Sequence, residues 1–282
     1  MWNRTWAIRS FSVLVVTGGV FLAWTQQQAP PLKMEPVKAN LHMIVGSGGN
    51  VGVLVTSDGV VMIDDKFERN VPEMLERIGE ATDKPVRYIV NTHHHGDHSG
   101  GNAALIKEKG VTVTAHENAR ANMVRGNQPG RPQIVYSEQA SVIAGGEEVR
   151  VMYFGAGHTN GDSVVFFPRL GVVHMGDLFV GGAPFIDYAN GGSALEWDET
   201  LNAVLQMEFS TVIPGHGPVS TREDLVEWKD KFETYRERIG DMARAGKTAE
   251  EIQAEADLSD LEGWSIGGLQ ARSLPGMIRE LR

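Results

Sequence analysis

The chain has 282 residues, no cysteine and a formal net charge of -10. This length suits one large domain or two small ones, and the ordinary hydrophobic content predicts a buried core. The acidic balance disfavours a nucleic-acid partner, because a negative surface repels the phosphate backbone. Without cysteine there is no disulfide and no thiolate ligand, so any metal must be held by histidine and carboxylate side chains.

The N-terminal segment has the pattern of an export signal. Arg4 and Arg9 precede an apolar run over residues 11–24, about the length of a signal-peptide hydrophobic region and short for a membrane span. We predict that residues 1–29 are a signal peptide and that the protein is periplasmic or secreted. The cleavage site is poorly defined, so an uncleaved N-terminal anchor is the alternative, and membrane contact is expected only in that case. An ordinary N-terminal helix of the fold is the third option.

The predicted elements follow in chain order. Strands are predicted over 41–45, 51–56, 60–64, 86–90, 111–114, 141–143, 148–154, 163–167, 171–175 and 211–213. Helices are predicted over 70–79, 100–109, 197–207 and 222–245, and a helix followed by a surface loop over 117–138. This order predicts two β-rich layers covered on both outer faces by helices. We place the catalytic domain at residues 38–222 and a C-terminal helical extension, packed on the core, at 223–282. A homo-oligomer built on the long helix remains open.

A histidine-rich run follows the buried strand 86–90. Alternate side chains of an extended segment point the same way, so His93 and His95 can reach one metal ion together. A turn at Gly96 would send Asp97 and His98 toward a second ion. His94 should point away from its neighbours and is given no ligand role.

The same arrangement recurs downstream. His158, Asp177 and His216 each follow an apolar run and lie among glycines, which let the backbone approach an ion closely. Loops at one edge of the two layers can bring these side chains together. Neutral imidazole and carboxylate suit zinc, with iron or manganese not excluded.

These residues carry a resemblance to a known superfamily. The segment 92–101 matches the HxHxDH signature of metallo-β-lactamase-fold hydrolases, and the segments 157–159, 176–177 and 215–217 match its later motifs in order. The resemblance covers roughly residues 41–220. It implies an α/β fold, the αβ/βα four-layer sandwich.

The resemblance also implies roles for single residues. His93, His95 and His158 would hold the first zinc ion. Asp97, His98 and His216 would hold the second, and Asp177 would ligate the second ion, with bridging of both ions as an option. A hydroxide between the ions would be the nucleophile, with Asp97 as the catalytic residue that orients it.

The motifs match more than one branch of the superfamily. Residues 154–159 and the glycine-rich loop 181–193 resemble class B β-lactamases of the B1 type. Those enzymes have a cysteine where this chain has Asp177, and usually a lysine that pairs with the substrate carboxylate where this chain has Val180. The ligand set without cysteine is instead similar to glyoxalase-II-like and lactonase-like members.

Opening of a small amide, lactone or ester is therefore predicted, with β-lactams the leading named substrate. A glyoxalase-II-like thioesterase, a lactonase and an iron-dependent persulfide dioxygenase-like enzyme are the alternatives. A phosphodiesterase of the same fold and a binding protein without turnover are weaker ones.

Several further residues have two interpretations. Asp64, at the end of a strand, is either a partner that orients a ligand histidine or a solvated carboxylate. Asn190 is either an oxyanion contact or a turn residue, and residues 46–50 form either a mobile flap or a plain turn. Three aromatic residues either line an apolar substrate wall or pack in the core: Phe179, Phe185 and Tyr188. We predict that three other histidines are packed or exposed residues with no metal role: His42, His116 and His174.

Overall fold

The computed structural model describes residues 30–282, so the predicted export segment 1–29 lies outside the described residues. The strands are β1 (Lys33–Lys38), β2 (Leu41–Val45), β3 (Val51–Val55), β4 (Val60–Ile63), β5 (Val86–Val90), β6 (Thr112–His116), β7 (Ile134–Tyr136), β8 (Gln139–Ala144), β9 (Glu147–Met152), β10 (Val164–Phe167), β11 (Val172–His174), β12 (Thr211–Ile213) and β13 (Ser220–Thr221). The helices are α1 (Val71–Ala81), α2 (Gly96–Ser99), α3 (Asn102–Lys109), α4 (Glu117–Arg125), α5 (Ala194–Val204), α6 (Arg222–Arg244), α7 (Ala249–Glu255) and α8 (Leu269–Leu281).

The strands form two mixed sheets. The first is a 7-stranded sheet in the order β1-β2-β3-β4-β5-β6-β7, antiparallel from β1 to β4 and parallel from β4 to β7. The second is a 6-stranded sheet in the order β13-β12-β11-β10-β9-β8, in which only β11 and β12 pair in parallel. Short turns connect the antiparallel strands of the meander, and helical crossovers connect the parallel pairs.

Three apolar cores separate four layers. The two sheets face each other across a core that includes Leu41 and Ile63 on one side and Val165 and Phe167 on the other. The outer face of the first sheet packs against α1 and α3, and that of the second sheet packs against α5, α6 and α8. The predicted αβ/βα four-layer sandwich is therefore confirmed.

Two edge strands of the first sheet were not predicted, nor was the two-residue edge strand β13 of the second sheet. β1 pairs with β2 and begins at Lys33, ahead of the predicted start of the catalytic domain at residue 38. β7 pairs with β6 within the segment that was interpreted as a helix and a loop. Both strands are largely exposed at the edges of the sheet, and β1 contains Pro36, so neither has the apolar alternation that reveals a half-buried strand.

The C-terminal helices cover the second sheet. Helix α6 begins at a capping box in which Thr221 and Asp224 each accept from the other's backbone N–H. Its apolar face packs an aromatic group that joins Trp228 and Phe232 to Trp197 of α5 and to Trp264. Within residues 30–282 we find no helix that is both long enough and apolar enough to cross a bilayer.

Candidate metal centre

All seven predicted ligand residues meet at one edge of the sandwich. They lie after the ends of β5, β9, β11 and β12, in loops from both sheets, as the sequence order suggested. They are His93, His95, Asp97, His98, His158, Asp177 and His216. The chain folds this way locally because the flanking glycines allow close approach: a Cβ on Gly215 would collide with the carboxylate of Asp177.

Three imidazoles form a first cluster. His95 Nδ1 lies 3.2 Å from His93 Nε2 and 2.8 Å from His158 Nε2. Asp177 Oδ2 lies 3.6 Å from His158 Nε2 and 3.9 Å from His93 Nε2. One ligand atom from each of these four residues falls within 4.8 Å of all the others, which is the spacing of donors around a single cation.

A second cluster lies beside it. His98 Nε2 and His216 Nε2 are 3.3 Å apart, and Asp97 Oδ2 is 3.3 Å from His216 Nε2 and 3.7 Å from His98 Nε2. Asp177 Oδ1 lies 3.1 Å from His98 Nε2 and 3.5 Å from His216 Nε2. Asp177 therefore directs one oxygen to each cluster.

The electrostatics of both clusters fit divalent cations. Burial lowers the pKa of His93 far below its usual value and that of His158 to about 4, so both rings are neutral and have lone pairs to donate. Burial alone would lower the pKa of His98, but the carboxylates of Asp177 and Asp64 raise it well above its usual value. The second cluster thus favours positive charge, which a metal ion can supply in place of a proton.

The far nitrogens of the ligand rings have fixed partners. His98 Nδ1 is 2.7 Å from the buried carboxylate of Asp64, the orienting role that was one of its two interpretations. His158 Nδ1 is 2.7 Å from the Phe185 carbonyl. His95 Nε2 is 2.9 Å from Asp187 Oδ2. Such contacts set the tautomer and the ring orientation of a metal ligand.

Asp187 is a functional residue that the sequence did not reveal. It lies 92 positions from His95 in a glycine-rich loop with no apolar periodicity, and the only available signal was an acidic residue in the otherwise apolar and aromatic segment 185–188. Burial would raise the pKa of Asp187, but hydrogen bonds with His95 and Asn190 lower it below its usual value. It is therefore ionised at neutral pH.

Replacing Asp187 with alanine is expected to weaken binding at the first cluster by about 10–100-fold, because His95 loses the acceptor that orients its ring. Metal titration by calorimetry would measure this, with binding at the second cluster as the internal control. Asp187→Asn should have a smaller effect, since it keeps a hydrogen-bond acceptor. Equal metal affinity in the wild type and Asp187→Ala would show that the contact has no orienting role.

The turn at residues 46–50 is held against the second cluster. Gly49 N donates to Asp97 O at 3.0 Å, Asn50 N donates to Gly215 O at 2.7 Å, and the buried Lys66 Nζ donates to Gly49 O at 2.6 Å. A Cβ on Gly49 would collide with the ring of His98. These contacts favour a fixed turn over a mobile flap.

Three other histidines, His94, His116 and His174, lie outside the two clusters. The ring of His94 is largely buried and does not line the cleft, although its donor atom lies within 4.8 Å of those of His95 and Asp187. His95 directs Nδ1 to the first cluster and Nε2 to Asp187, and neither nitrogen is hydrogen-bonded to His94, which agrees with giving His94 no ligand role. His116 caps α4 and stacks on Tyr153, and His174 is buried beneath the site.

A cleft of about 890 Å³ opens over both clusters. Of the three aromatic candidates only Phe185 lines it, whereas Phe179 is buried against Trp228 and Tyr188 packs on α8. Asn190 reaches the cleft, but its amide donates to Asp187 at 2.6 Å and accepts from Arg125 at 2.8 Å. Its contacts therefore support the loop rather than an oxyanion.

The fold and the paired His/Asp clusters define the class of metal-dependent hydrolases that use this sandwich. The model of the metallo-beta-lactamase superfamily matches residues 44–216, and the chain belongs to that superfamily. The protein is therefore a hydrolase of the metallo-beta-lactamase superfamily, whose members bind divalent metal ions.

Two relatives and one solved structure illustrate this similarity. The metallo-beta-lactamase type 2 of Bacillus cereus is 30% identical over 184 residues, which cover 63% of this chain and 70% of the relative. A hydroxyacylglutathione hydrolase of Gloeothece citriformis is 37% identical over 98 residues, 34% of this chain and 35% of the relative. The solved structure of a metallo-beta-lactamase from Pontibacter korlensis superimposes with a TM-score of 0.64 at 23% identity, over 72% of this chain and 99% of that one, which shows the fold.

Proposed function

We propose that the protein is a dinuclear zinc hydrolase that opens a small amide, lactone or ester bond, with β-lactams the leading substrate. The observation that carries this proposal is the pair of clusters that share Asp177 at the floor of one cleft. His93, His95 and His158 would hold the first ion, and Asp97, His98 and His216 the second. Two bound ions would lower the pKa of a water molecule and polarise the scissile carbonyl.

Asp97 is suited to handle the proton of the attacking water. Its side chain is 27% exposed, faces the cleft and is held toward His216. Burial would raise its pKa, but the hydrogen bond with His216 and the charge of His98 lower it below its usual value. An ionised carboxylate in this position can orient a water molecule and accept its proton.

The substrate is expected to be a small molecule. The cleft has the size of a small-molecule site, and its wall combines apolar side chains such as Phe185 and Val180 with polar side chains around the two clusters. Similarity to β-lactamases along most of the chain supports a β-lactam. The carboxylate Asp177, in place of a thiolate, and the hydroxyacylglutathione hydrolase relative support a thioesterase or lactonase as the second candidate.

Metal content and a substrate panel, measured on one purified sample, test the proposal. We expect about two zinc ions per chain and hydrolysis of a chromogenic cephalosporin, a lactone or a glutathione thioester. Bis(4-nitrophenyl) phosphate is included to detect a phosphodiesterase. One iron per chain with no zinc would contradict the dizinc assignment and favour the persulfide dioxygenase-like alternative, and a dimetal protein inert toward the whole panel would contradict the hydrolase assignment.

We also propose that residues 1–29 direct export to the periplasm or beyond. N-terminal sequencing of the mature protein, combined with cell fractionation, tests this. Full-length protein in the cytosolic fraction would contradict export, and full-length protein in the membrane fraction would favour the uncleaved anchor.

A further inference from the structure

The C-terminal extension forms one wall of the cleft. The wall residues are Gly263, Ser265, Leu269, Gln270 and Arg272. These residues lie outside the segment matched by the superfamily model, which ends at residue 216. This wall is therefore a property of this chain that the shared catalytic residues do not supply.

Arg272 is the one lysine or arginine among the cleft-lining residues. Its guanidinium carbon lies 5.7 Å from the centre of the Phe185 ring, and the side chain is exposed to the cleft. Within residues 30–282 it makes neither an ion pair nor a side-chain hydrogen bond, and the acidic groups of the same cleft are engaged by histidines. The charge of Arg272 is therefore available to a ligand.

The backbone that carries Arg272 is fixed relative to the metal-centre loop. Ser273, the next residue, is buried and its hydroxyl accepts from Ile186 N at 2.8 Å. Gln270 Nε2 donates to Ala183 O at 3.1 Å. Arg272 thus lies between two residues, Gln270 and Ser273, that are hydrogen-bonded to the loop that also carries Phe185.

We propose that Arg272 and Phe185 form an anion subsite, which selects substrates that carry a carboxylate or similar group away from the scissile bond. A guanidinium offers a planar pair of donors that matches a carboxylate, and an aromatic face beside it holds the adjoining apolar part of the ligand. Val180, which also lines the cleft, offers no charge for this purpose. The inference deepens the proposed hydrolase function and rests on it for the nature of the substrate.

Binding of two matched probes tests the subsite without turnover. The zinc-loaded protein would be titrated with naphthalene-1-sulfonate and with N,N-dimethylnaphthalene-1-sulfonamide, which stays neutral because its nitrogen carries no proton to lose to zinc. We expect the wild type to prefer the sulfonate and Arg272→Ala to bind it roughly tenfold more weakly, with sulfonamide binding unchanged. Arg272→Lys should keep part of the preference, because the charge remains but the planar fork is lost.

Arg279→Ala is the matched control, since Arg279 lies on the same helix, is exposed and does not line the cleft. It should leave both affinities unchanged. No preference for the sulfonate in the wild type, no detectable binding of either probe, or the same preference in Arg272→Ala would overturn the subsite.

Turnover separates this inference from the proposed function. With a cephalosporin and its carboxylate methyl ester, Arg272→Ala should raise KM for the acid by roughly tenfold, leaving kcat and the ester nearly unchanged. If the wild type hydrolyses nothing but the probe preference depends on Arg272, the hydrolase assignment fails and the anion subsite stands. If hydrolysis occurs and Arg272→Ala affects acid and ester equally, the subsite fails and the hydrolase assignment stands.

Discussion

Substitution of Asp97 by asparagine is expected to lower kcat by about 10²–10⁴-fold while the protein remains folded. Asparagine has nearly the same size and keeps an oxygen near His216, which lies 3.3 Å from Asp97 Oδ2. It cannot accept a proton from water at neutral pH. The loss should therefore fall on the chemical step, and steady-state kinetics of the zinc-loaded protein would show it.

Metal analysis of the same Asp97→Asn sample distinguishes two possible causes of the lower kcat. If two zinc ions remain, Asp97 acts mainly on the proton, and if the second ion is lost, it acts mainly as a ligand. Asp83→Asn is the control, because Asp83 is an exposed carboxylate in the turn before β5, whereas the centre lies beyond the other end of that strand. Full activity in Asp97→Asn would refute the proposed role of this residue.

Substitution of Gly276 by alanine is expected to destabilise the protein by about 1–3 kcal/mol and to lower activity by roughly 10²-fold. A methyl group at Gly276 would collide with the ring of Tyr188, at the ring atoms nearest the backbone, so the ring cannot simply turn away. Tyr188 follows Asp187 directly, and its hydroxyl donates to Glu280 of α8. Displacing it shifts the loop that orients His95.

Substitution of a second glycine is expected to have the opposite effect on stability. Gly79 lies within α1, and a Cβ there would meet nothing within 4 Å. Gly79→Ala should therefore stabilise the protein by up to about 1 kcal/mol through helix propensity alone. Thermal unfolding and activity of the two variants would be compared, and a stabilised, fully active Gly276→Ala would show that α8 does not support the metal centre.

The order of layers could be predicted because the core strands carry strong patterns. β4 and β5 are short apolar runs bounded by turn residues, and α1 has a clear apolar face. The edge strands β1 and β7 bury little and so left no such pattern. Their place follows from hydrogen bonding to β2 and β6, which depends on backbone pairing rather than on side-chain type.

What the sequence determined by itself is the chemistry of the centre. A strand followed by a dense histidine run, and glycine-flanked His158, Asp177 and His216 after later strands, indicate imidazole and carboxylate ligands whatever their exact spacing. Local geometry also separates His93 and His95 from His94, because neighbouring side chains of an extended segment point in opposite directions.

Only the tertiary structure decided what surrounds those ligands. Asp187 meets His95 across 92 positions, and Arg272 reaches the cleft from a helix beyond the catalytic motifs. Such contacts are set by how loops and helices pack, which no local periodicity encodes. The sequence by itself therefore identifies the candidate metal ligands, whereas the orientation of their rings and the charge of the cleft wall are set by how the chain folds.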